Sequence, residues 1–171
     1  MNINFQSSIP NNFNNHSRVW IYQSNRAFTG TEILQIEEYL SNRIKRSKFQ
    51  DISVRSYASL MFGQFIIIMV DQIETDVSSF NTDNLMGLIK EIEQNFQVTL
   101  FDRQILAFII QDRIQLLPLT MINKVIEKDM ITPETLYFNN TVLTKKELLK
   151  NWIIPVKDSW LRQRILEETQ A

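Results

Sequence analysis

The run FIIIMV, Phe65 to Val70, limits what this chain can become more than any other stretch. It is β-branched at four of its six positions and stops abruptly at Asp71. A strand with one wet face would alternate polar and apolar residues, so this run predicts a strand covered on both faces. Behind it come Thr75, Asp76, Ser78, Ser79, Asn81, Thr82 and Asp83, whose side-chain oxygens can accept from the unpaired N–H groups of a helix start. A helix is expected from about Thr82, with Leu85, Leu88, Ile89, Ile92 and Phe96 forming one apolar face.

Earlier in the chain VWIYQ, Val19 to Gln23, predicts a second strand, with Ser24, Asn25 and Arg26 as a polar turn. Thr29 and Glu32 have the spacing of a capping box, in which each residue's side chain satisfies the other's backbone N–H. Ile33, Ile36, Leu40 and Ile44, widened by Leu34 and Tyr39, predict a helix ending near Ser47. Its closing Arg43, Lys45, Arg46 and Lys48 are expected to complement the negative end of the helix dipole, with a phosphate-binding patch as the lesser reading. Ile52 to Leu60 alternates like a half-exposed strand, and Gly63 turns it back into the apolar run. Ile105 to Ile110 and Ile114 to Leu117 complete a β-α-β-β-α-β-β order.

That order predicts an α+β chain with a ferredoxin-like β-α-β-β-α-β sandwich of sheet and helices, an extra strand and a mostly helical C-terminal extension. A plan starting from the first helix, as in roadblock-like interaction domains, fits the same periodicity. Residues 1–17 carry six asparagines and few apolar anchors and are expected to be a flexible tail. Residues 18–117 are expected to form the core domain, and 118–171 a helical extension packed on it, with Thr144 and Glu147 as a second capping box.

Composition removes many functions. With no cysteine and a single histidine, His16, the chain offers no disulfide, thiolate nucleophile or paired-imidazole metal site. Three scattered glycines exclude a P-loop and a dinucleotide fingerprint. A net charge of −1 argues against nucleic acid as a partner. No apolar run is long enough for membrane insertion and no signal segment is recognisable. The expectation is a cytoplasmic protein with no cofactor.

In a ferredoxin-like sheet the ends of strands one and three are expected to meet. Ser24, Asn25 and Arg26 would then stand beside Asp71, Ser78 and Asp83, with two helix N-termini aimed outward and Tyr22 or Trp160 as a cover. Such a site would take a small anionic ligand or a nucleotide. The same polar residues also serve as ordinary helix caps. The leading expectation is therefore a non-catalytic interaction or regulatory domain that binds a protein partner or a second copy of itself, with Ile52 to Leu60 as an exposed edge. An enzyme is argued against, because no nucleophile and base are spaced for a triad.

Four strings, VWIYQSNR at 19–26, FDR at 101–103, YFNN at 137–140 and KDSW at 157–160, resemble a family of uncharacterised Bacteroidota proteins often labelled "ABC transporter ATPase". The resemblance runs from Val19 to Trp160 and marks Tyr22 to Arg26, Asn139, Asn140, Lys157, Asp158 and Trp160. The family pattern Ser-Gly-Cys-Ser-Ile-Asp stands here as Ser78 to Asp83, SSFNTD, with Phe80 in place of the thiol. The resemblance implies no ATPase activity, since the phosphate cradle is missing.

Overall fold

The computed structural model describes residues 1–46, 54–72 and 82–169. Among the described residues twelve α-helices and β-strands run in the order β1 (Arg18–Gln23), α1 (Gly30–Arg46), β2 (Val54–Met61), β3 (Phe65–Gln72), α2 (Thr82–Phe96), β4 (Ile105–Ile110), β5 (Arg113–Pro118), α3 (Ile122–Glu127), β6 (Leu136–Phe138), α4 (Lys145–Asn151), β7 (Ile153–Pro155) and α5 (Arg162–Thr169). The class is α+β, with two antiparallel sheets ordered β1-β3-β2 and β5-β4-β6-β7.

The apolar run is the middle strand of the first sheet, and all six of its residues are at most 4% exposed. Successive side chains leave opposite faces of a strand. Phe65, Ile67 and Met69 therefore enter a core shared with Ala107 of β4 and Phe138 of β6, and Ile66 and Ile68 enter a second core with Ile36 and Leu40 of α1 and Leu85, Ile89 and Ile92 of α2. A third cluster joins Leu106, Phe108 and Tyr137, on the far face of the second sheet, to Ile122 and Val125 of α3 and Ile165 of α5. The result is four layers, helices, sheet, sheet and helices, with Phe65 stacked on Phe138 at 4.5 Å between ring centres.

Local signals hold. Glu32 N–H donates to Thr29 Oγ1 at 3.3 Å and Thr29 N–H to Glu32 Oε2 at 2.8 Å, the expected reciprocal cap. Thr144 Oγ1 likewise accepts from Glu147 N–H. Phe62 and Gly63 turn the β2–β3 hairpin with φ of 54° and 63°. A Cβ on Gly63 would stand 3.3 Å from Ile33 Cδ1, so both conformation and space favour glycine there. Leu34, expected on the buried stripe of α1, is instead 73% exposed. Ser47 and Ile52, the expected helix end and strand start, lie outside the described residues.

Three larger expectations are corrected. Residues 1–17 do not form a free tail. Phe5, Ile9 and Phe13 are 4%, 3% and 8% exposed in the core between the sheets, and Phe5 meets the Trp152 ring edge-on at 4.7 Å. Buried Lys145 donates to the Phe13 carbonyl at 2.8 Å, Asp71 accepts from Asn14 N–H at 3.2 Å, and the Arg55 guanidinium reaches the Asn12 carbonyl. Second, β4 does not flank β1. It pairs with β5 and β6 in the other sheet, and the outer edge of β1 takes Leu143 and Thr144 through Val19 N–H to Leu143 C=O at 2.8 Å. Third, the residues after 117 are not a helical appendage, because β6 and β7 are strands of the second sheet and the expected boundary falls inside it.

Candidate functional site

Strand direction takes the expected site apart. In the register of β1 against β3, Gln23 faces Phe65 and Arg18 faces Val70. The chain therefore leaves β1 at the Gly63 turn, while Asp71 lies beyond the opposite end, about 20 Å away along six residues at ~3.3 Å each. Neighbouring antiparallel strands place their C-terminal ends apart, so Ser24, Asn25 and Arg26 cannot converge with Asp71. Ser78 lies outside the described residues, and Asp83 falls in the first turn of α2.

The polar residues after β1 are occupied by the fold. Ser24 is fully buried and its Oγ accepts from Arg26 N–H. Asn25 Oδ1 accepts from Thr99 N–H at 3.0 Å. Arg26 donates to both Glu32 oxygens at 2.9 and 2.8 Å and to the Phe96 carbonyl at 2.7 Å, tying the start of α1 to the end of α2. That guanidinium, together with the Thr29 N–H, lowers the Glu32 carboxyl from 4.5 to about 2. Tyr22 points into the helix-side core, edge-on to Phe101 at 5.5 Å. Burial raises its hydroxyl, and the nearby charge of Arg103 opposes the rise. Asp71 is a buried anchor for the N-terminal segment.

Of the expected residues, Trp160 lines a cavity of about 160 Å³ at the seam of the two sheets. Its indole is 48% exposed, and its N–H donates to the Tyr137 hydroxyl at 3.2 Å. Burial holds that phenol above its ordinary pKa, against the opposing pull of the Trp160 N–H. Ile21, Leu100, Leu106 and Phe138 supply apolar wall, and Gln23, Asp102, Arg103, Asn140 and Thr141 the polar groups.

A chain of hydrogen bonds fixes the deep polar side. Trp152 Nε1 donates to Asn140 Oδ1 at 3.0 Å, Asn140 Nδ2 to Gln23 Oε1 at 2.8 Å, and Gln23 Nε2 to the Ile105 carbonyl at 3.1 Å. Each amide nitrogen carries two N–H groups and uses one in this chain, leaving one on Gln23 and one on Asn140. Asp102 accepts from Gln104 N–H through Oδ1 at 2.7 Å. Arg103 is exposed and has no ion pair or hydrogen bond among the described residues.

Thr141 donates to Asn139 Oδ1 at 2.6 Å, an amide oxygen that does not act as a base, and the raised Tyr137 phenol stays protonated. Among the described residues no group of three or more His, Cys, Asp or Glu side chains is placed to hold a metal ion. No helix among them is long and apolar enough to cross a membrane.

Sequence reasoning missed Asp102, Arg103, Tyr137 and Thr141 as site residues, yet a signal was present. The strings 19–26, 101–103, 137–140 and 157–160, singled out in the sequence, each send residues to the cavity: Gln23 from the first, Asp102 and Arg103 from the second, Tyr137, Phe138 and Asn140 from the third and Trp160 from the fourth. Comparison of the chain with protein-family models, curated proteins and solved structures gives no match.

Proposed function

We propose that this chain is a non-catalytic binding domain for a small organic molecule, held in the cavity beneath Trp160. The observation that carries the reading is convergence: four stretches distant in sequence, around residues 23, 102, 140 and 160, bring unlike chemistry to one concave site. The competing interaction reading relied on the edge of β2. That edge is partly covered, since Glu37 accepts from the outward Leu60 N–H at 2.7 Å and from the Ser59 hydroxyl at 3.0 Å. We further read β1, α1, β2, β3 and α2 as the opening of a ferredoxin-like plan whose fourth strand is diverted into a second sheet, and place the protein in the cytoplasm, which its lack of cysteine supports.

A thermal-shift screen of small metabolites tests the reading. A ligand at about a hundred times its dissociation constant contributes roughly 2.7 kcal/mol, a rise of about 5–10 °C for a chain of this size. The rise is expected to disappear in Thr141→Phe, which narrows the mouth at an exposed position. A flat screen, or a shift that survives this substitution, rejects the site.

A further inference from the structure

Resting on that reading, we infer that the ligand is a free α-amino acid with an apolar side chain, its carboxylate at Arg103 and the spare amide N–H groups, and its ammonium at Asp102.

Charge is the first argument. The cavity presents two ionised side chains of opposite sign, adjacent in sequence, and no ion pair joins them to each other or to another described residue. Among the described residues nothing engages the second carboxylate oxygen of Asp102 or the guanidinium fork of Arg103. A ligand with one charge would pair with one of these groups and gain nothing from the other, or meet it as a like charge. A zwitterion satisfies both.

Donor count is the second. The remaining N–H groups of Gln23 and Asn140 can only donate, and both amides are locked in place by the chain from Trp152 to Ile105. A carboxylate has lone pairs for Arg103 and for these donors together. Preformed donors of this kind lose little freedom on binding.

Size and walls are the third. At about 160 Å³ the cavity lies well below the ~300–1,000 Å³ of sites for drug-sized ligands, which favours an amino acid over a nucleotide or a peptide. Leu100, Leu106, Ile21 and Phe138 form an apolar lining for a short hydrocarbon or aromatic side chain, flanked by the half-exposed Trp160 indole.

Isothermal titration with L-leucine and L-phenylalanine decides the matter when set beside isocaproate, which is leucine without its ammonium, and isoamylamine, which lacks the carboxylate. An apolar amino acid is expected to bind, and both single-charge analogues to bind about tenfold or more weakly. Arg103→Ala should remove the preference for the amino acid over the amine, and Asp102→Asn the preference over the acid; both positions lie on the rim, and Asn keeps the acceptor for Gln104 N–H. Equal binding of an analogue and the amino acid overturns the inference. If neither amino acid binds while another compound shifts the melting midpoint in a Thr141-dependent way, the ligand class is wrong and the site stands. If nothing binds, both fall.

Discussion

Arg26 and Glu32 illustrate how completely a polar cluster can be used by the fold itself. In sequence, Ser24, Asn25 and Arg26 read equally as an anion site and as caps. The structure gives the guanidinium four acceptors, two carboxylate oxygens and the carbonyls of Ala27 and Phe96, so all four N–H groups of its two terminal nitrogens are committed to the fold. The pair instead makes a prediction about acid. A carboxyl lowered in the folded state adds stability that is fully present above its unfolded pKa of about 4.3 and is lost as pH falls through the folded value. For Glu32 the window runs from there down to about 2. A carboxyl NMR titration should give Glu32 a midpoint of about 2 in the native chain and a higher one, still below the ordinary 4.5 because the Thr29 N–H remains, in Arg26→Ala. The variant should begin to unfold at a higher pH and still bind the cavity ligand normally. A Glu32 midpoint unmoved by the substitution would refute the pairing.

At the scale of elements, the N-terminal segment holds the sharpest test. Phe5, Ile9 and Phe13 recur every four residues and fill slots between the sheets, with backbone carbonyls of the segment taken by Lys145, Arg55 and Tyr57. Phe5→Ala and Phe13→Ala should each lower unfolding free energy by about 3–5 kcal/mol, as buried phenylalanines do, while exposed Gln6→Ala should stay within about 0.5 kcal/mol. Denaturant unfolding followed by tryptophan fluorescence measures both, since Phe5 packs on Trp152. Changes below ~1 kcal/mol at Phe5 and Phe13 would restore the free tail. The same segment shows where sequence stops being informative. The caps at Thr29 and Thr144, the hairpin at Gly63 and the two-faced strand at Phe65 are set by neighbours a few residues away and could be read directly. Five apolar residues among seventeen look too few to order a chain, and the three that are buried become sufficient only because Trp152, Phe62 and Tyr57, far off in sequence, build their slots. β6 and β7, three residues each, are too short to show a period. The cavity was hidden for a related reason: antiparallel pairing sets the ends of β1 and β3 apart, and only the second sheet brings residues 102, 140 and 160 to Gln23.

The whole molecule is bound into one unit by the core between its sheets. A chain of two independent parts divided at 117 would keep its apolar contacts within each part. Here Phe138, Val142, Leu148 and Trp152 from the later part lie in the same cluster as Val19, Ile21, Phe65 and Met69 from the earlier one. At about 1.5–3 kcal/mol for each large side chain, removing those four costs roughly 6–12 kcal/mol, comparable with the whole ~5–15 kcal/mol stability of an ordinary domain. It would also take from β4 its partner β6, and from the edge of β1 its cover at Leu143 and Thr144. A fragment of residues 1–117 is therefore expected to remain unfolded, with collapsed amide dispersion in its NMR spectrum. The full chain should unfold in one transition in which far-UV circular dichroism and tryptophan fluorescence coincide, since Trp152 sits between the sheets and Trp20 against the helix-side core. Two separated transitions, or a fragment with dispersed amide resonances, would mean that each sheet holds its own fold, and the cavity at their seam would then lose the rigid walls on which selective binding depends.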